Sequence, residues 1–343
     1  MGHGALAIAL GVAVMSTSAA GTGAAGGSPG QGGRASRLEI TVLSGAPDQV
    51  SGGDALVQIT VPRRVSTGDV DVELDGTDVT AAFADRGDGS LVGLVEGLAD
   101  GQNALRAEAD GGRGRPRVAE LTLFNHPTGG PIFSGPQQQP FVCTTARGRF
   151  DGRPLLDQPL VDNQDRIGIP VAAEAPDGSY PQDGRGYPTA DAQIVGWSKD
   201  CAADTRYGYV YRSTTDNRFH WLDDPAAPPA DVAATTTMDG HVVPFVVRWE
   251  RGTINRFVYS VAMLAPVGEA DPTRPDDSLW NRRLVFSFQG GVAIGHHQGT
   301  TSDGAMLPAD LLGKGYGVMW SSGTRTSTHY NLQVGGETAL MLK

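Results

Sequence analysis

The residues best suited to chemistry lie in one short stretch. An apolar run ends at Phe288-Gln289-Gly290-Gly291 and opens into a loop that carries His296-His297-Gln298-Gly299. Glycines at the end of a strand let backbone N–H groups approach a substrate carbonyl where a side chain would crowd them. Gly290 and Gly291 are therefore oxyanion-hole candidates, and a plain tight turn is the competing reading. His296 and His297 are adjacent in sequence, so they cannot form the two-His metal face that i, i+4 spacing on a helix gives. The expectation is a loop-shaping role for His296, His297 and Gln298 through hydrogen bonds to backbone. No metal site and no cofactor are expected, with a metal hydrolase built on either histidine kept as a minor alternative. His329 has no obvious partner.

A nucleophile is harder to find. Gly26-Gly27-Ser28-Pro29-Gly30 matches the pattern G-x-S-x-G, but an elbow needs a strand before it and a helix after it. Both flanks here are low-complexity, so Ser28 is rejected and no nucleophile is assigned. The acid-rich stretches Asp69–Asp78, Asp223-Asp224 and Asp276-Asp277 lack the spacing of a calcium loop and read as solvated turns.

The elements that must position the glycine loop are legible around it. Val242–Trp249 and Phe257–Leu264 flank Arg251–Asn255 in the form of a β-hairpin. Arg283–Phe288 (RLVFSF) reads as a strand buried on both faces, and Tyr316–Trp320 as another. A helix is expected within Asp303–Leu312. Gly335–Lys343 (GGETALMLK) opens a further helix that is still under way at the last residue, as in a C-terminally truncated chain. This hairpin, strand, helix and strand order reads like the opening half of an α/β-hydrolase domain, expected at 240–343.

Upstream, seven short alternating runs between Leu38 and Phe124 are separated by turn signals such as Asp75-Gly76 and Asp100-Gly101. That spacing predicts an immunoglobulin-like β-sandwich over 38–124. Residues 125–239 are rich in Pro, Gly and Asp and read as long ordered loops with brief strand-like pieces such as Tyr207–Arg212. Trp197, Phe219 and Trp221 there are expected to be packing residues more than cleft residues. Residues 21–37 read as a flexible linker.

Composition narrows the setting. The chain has 343 residues, 48 of them Gly and 22 Pro, which favours a loop-rich, β-heavy build. Its net charge of −11 and lack of a basic cluster argue against nucleic acid and anionic membranes as partners. Ala5–Met15 is a short apolar run followed by Ser18-Ala19-Ala20, which fits a signal peptide over 1–20, although no Lys or Arg precedes it. Cys143 and Cys201, 58 residues apart, are too distant for a zinc-type pair and would form a disulfide in an oxidising compartment. Two free thiols in a cytosolic protein is the alternative.

Several segments resemble a family of secreted bacterial proteins catalogued as a domain of unknown function. They are Val50–Leu56 (VSGGDAL), Asn125–Pro127 with Gly129–Pro136 (GGPIFSGP), Arg248–Arg256 (RWERGTINR), Trp280–Leu284 and the loop Gly290–Gly299. That family is related to α/β-hydrolase esterases such as tannases. The resemblance implies a mixed fold, a β-sandwich followed by a partial α/β-hydrolase-like domain, with the triad residues beyond Lys343. It also implies a small or polymeric ester as substrate and an inactive chain as given. The rival reading is a non-catalytic extracellular binding or adhesion protein.

Overall fold

The computed structural model describes residues 37–110, 116–184, 186–291 and 295–342. The expected signal peptide, Ser28 and all of the linker but Arg37 lie outside the described residues.

The alternating runs near the N-terminus become strands because one side of each is apolar. Asp54–Thr60 (DALVQIT) buries Ala55, Val57 and Ile59 while Asp54 and Leu56 face out. A four-stranded and a five-stranded sheet share one core, which also holds Val72, Leu105, Ala107 and Leu123. Asp75-Gly76, with φ of 50° and 80°, turns Val70–Leu74 back onto Thr77-Asp78. Positive φ at both turn positions is what the right-handed twist of a two-residue hairpin requires.

A six-stranded sheet forms the second core. Its strands in chain order are β1 (Arg206–Arg212), β2 (Phe219–Leu222), β3 (Val246–Ile254), β4 (Phe257–Leu264), β5 (Leu284–Gln289) and β6 (Gly317–Arg325). They lie in the order β2-β1-β3-β4-β6-β5, all antiparallel neighbours except the parallel pair β5 and β6. The segment read as long loops thus contributes two strands of this sheet, along with several short two-stranded pieces. Arg251 and Gly252 do not form a loop either: they pair with Ser260 and Tyr259, and only Asn255-Arg256 turn the chain. The strand continues because Gly252 makes room for the Tyr259 ring, which a Cβ would approach to 2.6 Å.

β5 is a correction. It was expected to be buried on both faces, yet it is the edge strand, with Leu284 58% and Phe288 63% exposed. The doubly buried strand is β6, whose Val318 and Trp320 enter one core and whose Met319 enters another. Phe150, Leu155, Met306 and Leu312 cover the first face, and Met341 and Leu342 the second.

Helix is scarce. Among the described residues, α1 (Asp303–Met306) and α2 (Ala309–Leu312) are single turns, and α3 (Leu332–Met341) is the longest. The expected helix at 303–312 breaks at Leu307 because the following Pro308 disfavours helical backbone there. The described residues are therefore mostly β in several sheets, with less helix than the α/β expectation carried.

Candidate functional site

The carboxyl ends of β5 and β6 lie side by side, and the β3–β4 turn closes in from the neighbouring strand. Gly290 and Gly291 leave β5 at this end, both exposed. Their surroundings differ. Gly291 donates its N–H to Thr326 Oγ1 at 2.9 Å, and the Thr326 hydroxyl donates back to the Gly291 carbonyl at 2.8 Å. A Cβ on Gly291 would stand 2.6 Å from Ser327 Cβ, so glycine is needed for close packing. The Gly290 N–H has no partner among the described residues, and a Cβ there would meet nothing within 4 Å.

Residues 295–299 are stitched to the cystine region. Val142 donates to His296 O at 3.1 Å, and Gln298 N donates to Val142 O at 2.9 Å. The fully buried Gln298 side chain accepts from Thr144 N and Thr145 Oγ1 and donates to Cys201 O at 3.0 Å. These three bonds hold the loop. Cys143 and Cys201 form a disulfide. His297 Nδ1 accepts from Gly299 N at 3.0 Å, and burial, with a smaller push from His296, lowers its pKa. His296 is exposed, and Gln138 Nε2 donates to its Nδ1 at 3.3 Å.

A cavity of about 70 Å³ opens beside this loop, lined by Phe141, Arg256, Phe257, His296, His329 and Asn331. Sequence reasoning passed over most of these. Arg256 stacks 3.8 Å from the Phe141 ring centre and donates to Gln138 O and Lys199 O. Burial pulls its pKa below the usual arginine value, with Asp200 and Asp162 opposing. His329 Nδ1 accepts from Asn331 N at 3.1 Å, which fixes the proton on Nε2, and Nε2 donates to Gly323 O. That tautomer is neutral, and burial lowers the pKa to match. The Asn331 side chain accepts from Gln333 N and Val334 N, capping α3.

Glu337 was also missed. It is fully buried on α3 and accepts from the N–H groups of Ile132, Phe133 and Ser134, from Ser134 Oγ and from Asn255 Nδ2. Nothing in the local pattern GGETAL marks it, since its partners lie 82 residues away or farther.

The arrangement offers an unpaired backbone donor where the chain leaves β5, and a small, mostly apolar cavity lined by His296 farther along the same loop. Within β6, Ser321 and Ser322 are not free to attack: both are fully buried and both hydroxyls donate to backbone carbonyls. Ser327, just past the strand and packed against Gly291, is half-buried. Among the described residues no three His, Cys, Asp or Glu side chains converge as metal ligands. No helix among them is long and apolar enough to cross a membrane.

Among curated proteins, none matches this sequence. A family match spans residues 40–343 and so includes the sandwich, the cystine region, the glycine loop and α3. The chain belongs to the tannase-like family of unknown function (DUF6351).

Proposed function

We propose that this protein is an exported esterase-like scaffold in which the Gly290 N–H stabilises the oxyanion of an ester under attack. The observation that carries the reading is the contrast between the two glycines, one N–H unpaired and the other tied to Thr326. A parallel strand pair with a glycine loop at its carboxyl end, flanked by an antiparallel hairpin, supports an α/β-hydrolase-like sheet. An immunoglobulin-like sandwich ahead of it would brace that sheet. The disulfide fits an oxidising compartment and therefore export. The substrate class is a carboxylic ester, small or polymeric.

The test is hydrolysis of short-chain p-nitrophenyl esters by the complete gene product. Gly290→Pro deletes the donor, and Gln289 already has the strand backbone that a following proline favours. A loss of about 100- to 1,000-fold in kcat is expected, the usual cost of one oxyanion donor. Gly290→Ala keeps the N–H and meets no neighbour, so it should retain most activity. Equal rates for the proline and alanine variants would remove Gly290 from the chemistry. No hydrolysis at all, with no labelling by a serine-directed phosphonate, would favour a non-catalytic binding protein.

A further inference from the structure

A second cavity, of about 610 Å³, opens on the β1–β3 side of the large sheet and shares no lining residue with the glycine-loop cavity. Its size is in the range that holds a small organic ligand. Three guanidinium groups line it, from Arg153, Arg206 and Arg251, but only two carboxylates, from Asp157 and Asp223. Both carboxylates are committed. Asp223 takes a two-point contact from Arg153 at 2.5 and 3.0 Å, and Asp157 pairs with Arg206. Arg251 is left without a carboxylate partner among the described residues.

Arg251 is also the most buried of the three, only 6% exposed. Its Nε donates to Leu155 O and its Nη1 to Trp249 O, both at 3.1 Å. No protein acceptor for Nη2 exists among the described residues. The guanidinium lies 4.8 Å from the ring centres of both Trp221 and Trp249. Burial, reinforced by the like charge of Arg206, pushes its pKa down to about 10, so the group is still a cation at neutral pH. A buried cation without a counter-ion is strongly unfavourable, and proteins otherwise pair such groups or use them.

Gly208 completes the picture. It lines the same cavity, opposite Trp249 in the β1–β3 ladder. A Cβ there would sit 3.7 Å from Trp221 and 3.8 Å from Arg251 Nη1, so a side chain would lie over the guanidinium. The glycine leaves the cation open to the cavity. Trp221, Tyr207 and several prolines supply flat apolar walls around it.

We propose that this cavity binds a monocarboxylate on a flat apolar body, with the carboxylate on Arg251 and the body against Trp221. One carboxylate balances the one unmatched cation, and an Arg fork suits its two oxygens. The site stands independently of the Gly290 chemistry and would persist if that reading failed.

Benzoate and its neutral analogue benzamide distinguish charge recognition from mere filling of an apolar cleft. Tryptophan fluorescence, which reports on the Trp221–Trp249 stack, and thermal shift are the readouts. Saturable benzoate binding is expected below about 10 mM, with benzamide at least about tenfold weaker. Arg251→Met should abolish the preference, but it also alters a packed residue. Gly208→Val avoids that problem, because its Cβ makes only ordinary contacts and valine suits a strand. It should remain folded by circular dichroism and lose benzoate binding about tenfold or more. Equal affinity for the two probes, no benzoate signal at about 10 mM, or unchanged binding by folded Gly208→Val would each overturn the proposal.

Discussion

Asn255 Nδ2 donates to Glu337 Oε1 at 3.0 Å, joining the β3–β4 turn to α3 across 82 residues of sequence. The same carboxylate gathers three consecutive N–H groups, from Ile132 to Ser134, so one side chain fixes three separate segments beside the glycine loop. The turn it holds is strained for other residues, since Asn255 and Arg256 have φ of 49° and 70°. Gly130 sits against it so closely that a Cβ would come within 2.2 Å of Asn255 Oδ1.

Replacing Glu337 should therefore be costly. Glu337→Ala leaves several buried donors without an acceptor, each loss costing on the order of 1–3 kcal/mol. Urea denaturation should show a total destabilisation of roughly 3–5 kcal/mol, the range for breaking a buried charged network. Early proteolysis within 130–138 should accompany it. A loss under about 1 kcal/mol would mean that the loop holds itself.

His329 makes stability depend on pH. Its Nδ1 lone pair is used by Asn331 N–H, so a second proton has no place without breaking that bond. Burial holds the folded pKa below the ordinary 6.5, so the unfolded chain binds more protons just under that value. This contribution is fully present above pH 6.5 and is lost as pH falls through the depressed folded value. His220, raised by Asp216 and Asp151, works the other way, so the comparison must be differential. His329→Gln should flatten the rise in stability just below pH 6.5, by at most ~1.4 kcal/mol per pH unit for one proton. Parallel pH profiles for parent and variant would refute the assignment.

The parts visible in the sequence were those with a local cause. Alternation in DALVQIT, the Asp75-Gly76 turn and the glycines ending β5 each act over a few residues. What escaped detection was set by distant partners. LVFSFQ is continuous and apolar whether a strand is central or at an edge, and only the pairing of β5 with β6 alone decides it. Tyr207–Arg212 reads as a brief strand-like piece and FHWL carries no clear signal amid the Pro, Gly and Asp around it, yet both extend the large sheet. Within the site, the tie between Gly291 and Thr326 spans 35 residues and has no motif. The grip of Gln298 on Cys201 O spans 97 and is equally hidden.

That grip makes the disulfide a support for the loop as well as a staple. Closing a 58-residue separation is worth about 4 kcal/mol in the chain-entropy account. The double variant Cys143→Ala, Cys201→Ala should lose roughly that much in urea denaturation. Amide exchange at Gln298 and Gly299 should accelerate in the same variant while the sandwich strand Asp54–Thr60 keeps its protection. Uniform acceleration across both regions would show global loosening only.

The edge position of β5 carries a liability that one charge should relieve. Leu284 and Phe288 are both well exposed on a strand whose outer backbone groups have no neighbouring strand among the described residues. Apolar, uncharged edges of this kind template pairing with other chains. Phe288 contacts Phe286 with ring centres 4.9 Å apart, so the pair forms a small sticky patch. Phe288→Lys places a gatekeeping charge there at little cost, since exposed substitutions usually change stability by under about 0.5 kcal/mol. Light scattering on heating should show later and weaker aggregation for the lysine variant at equal protein concentration. If parent and variant aggregate alike, the sticky surface lies elsewhere.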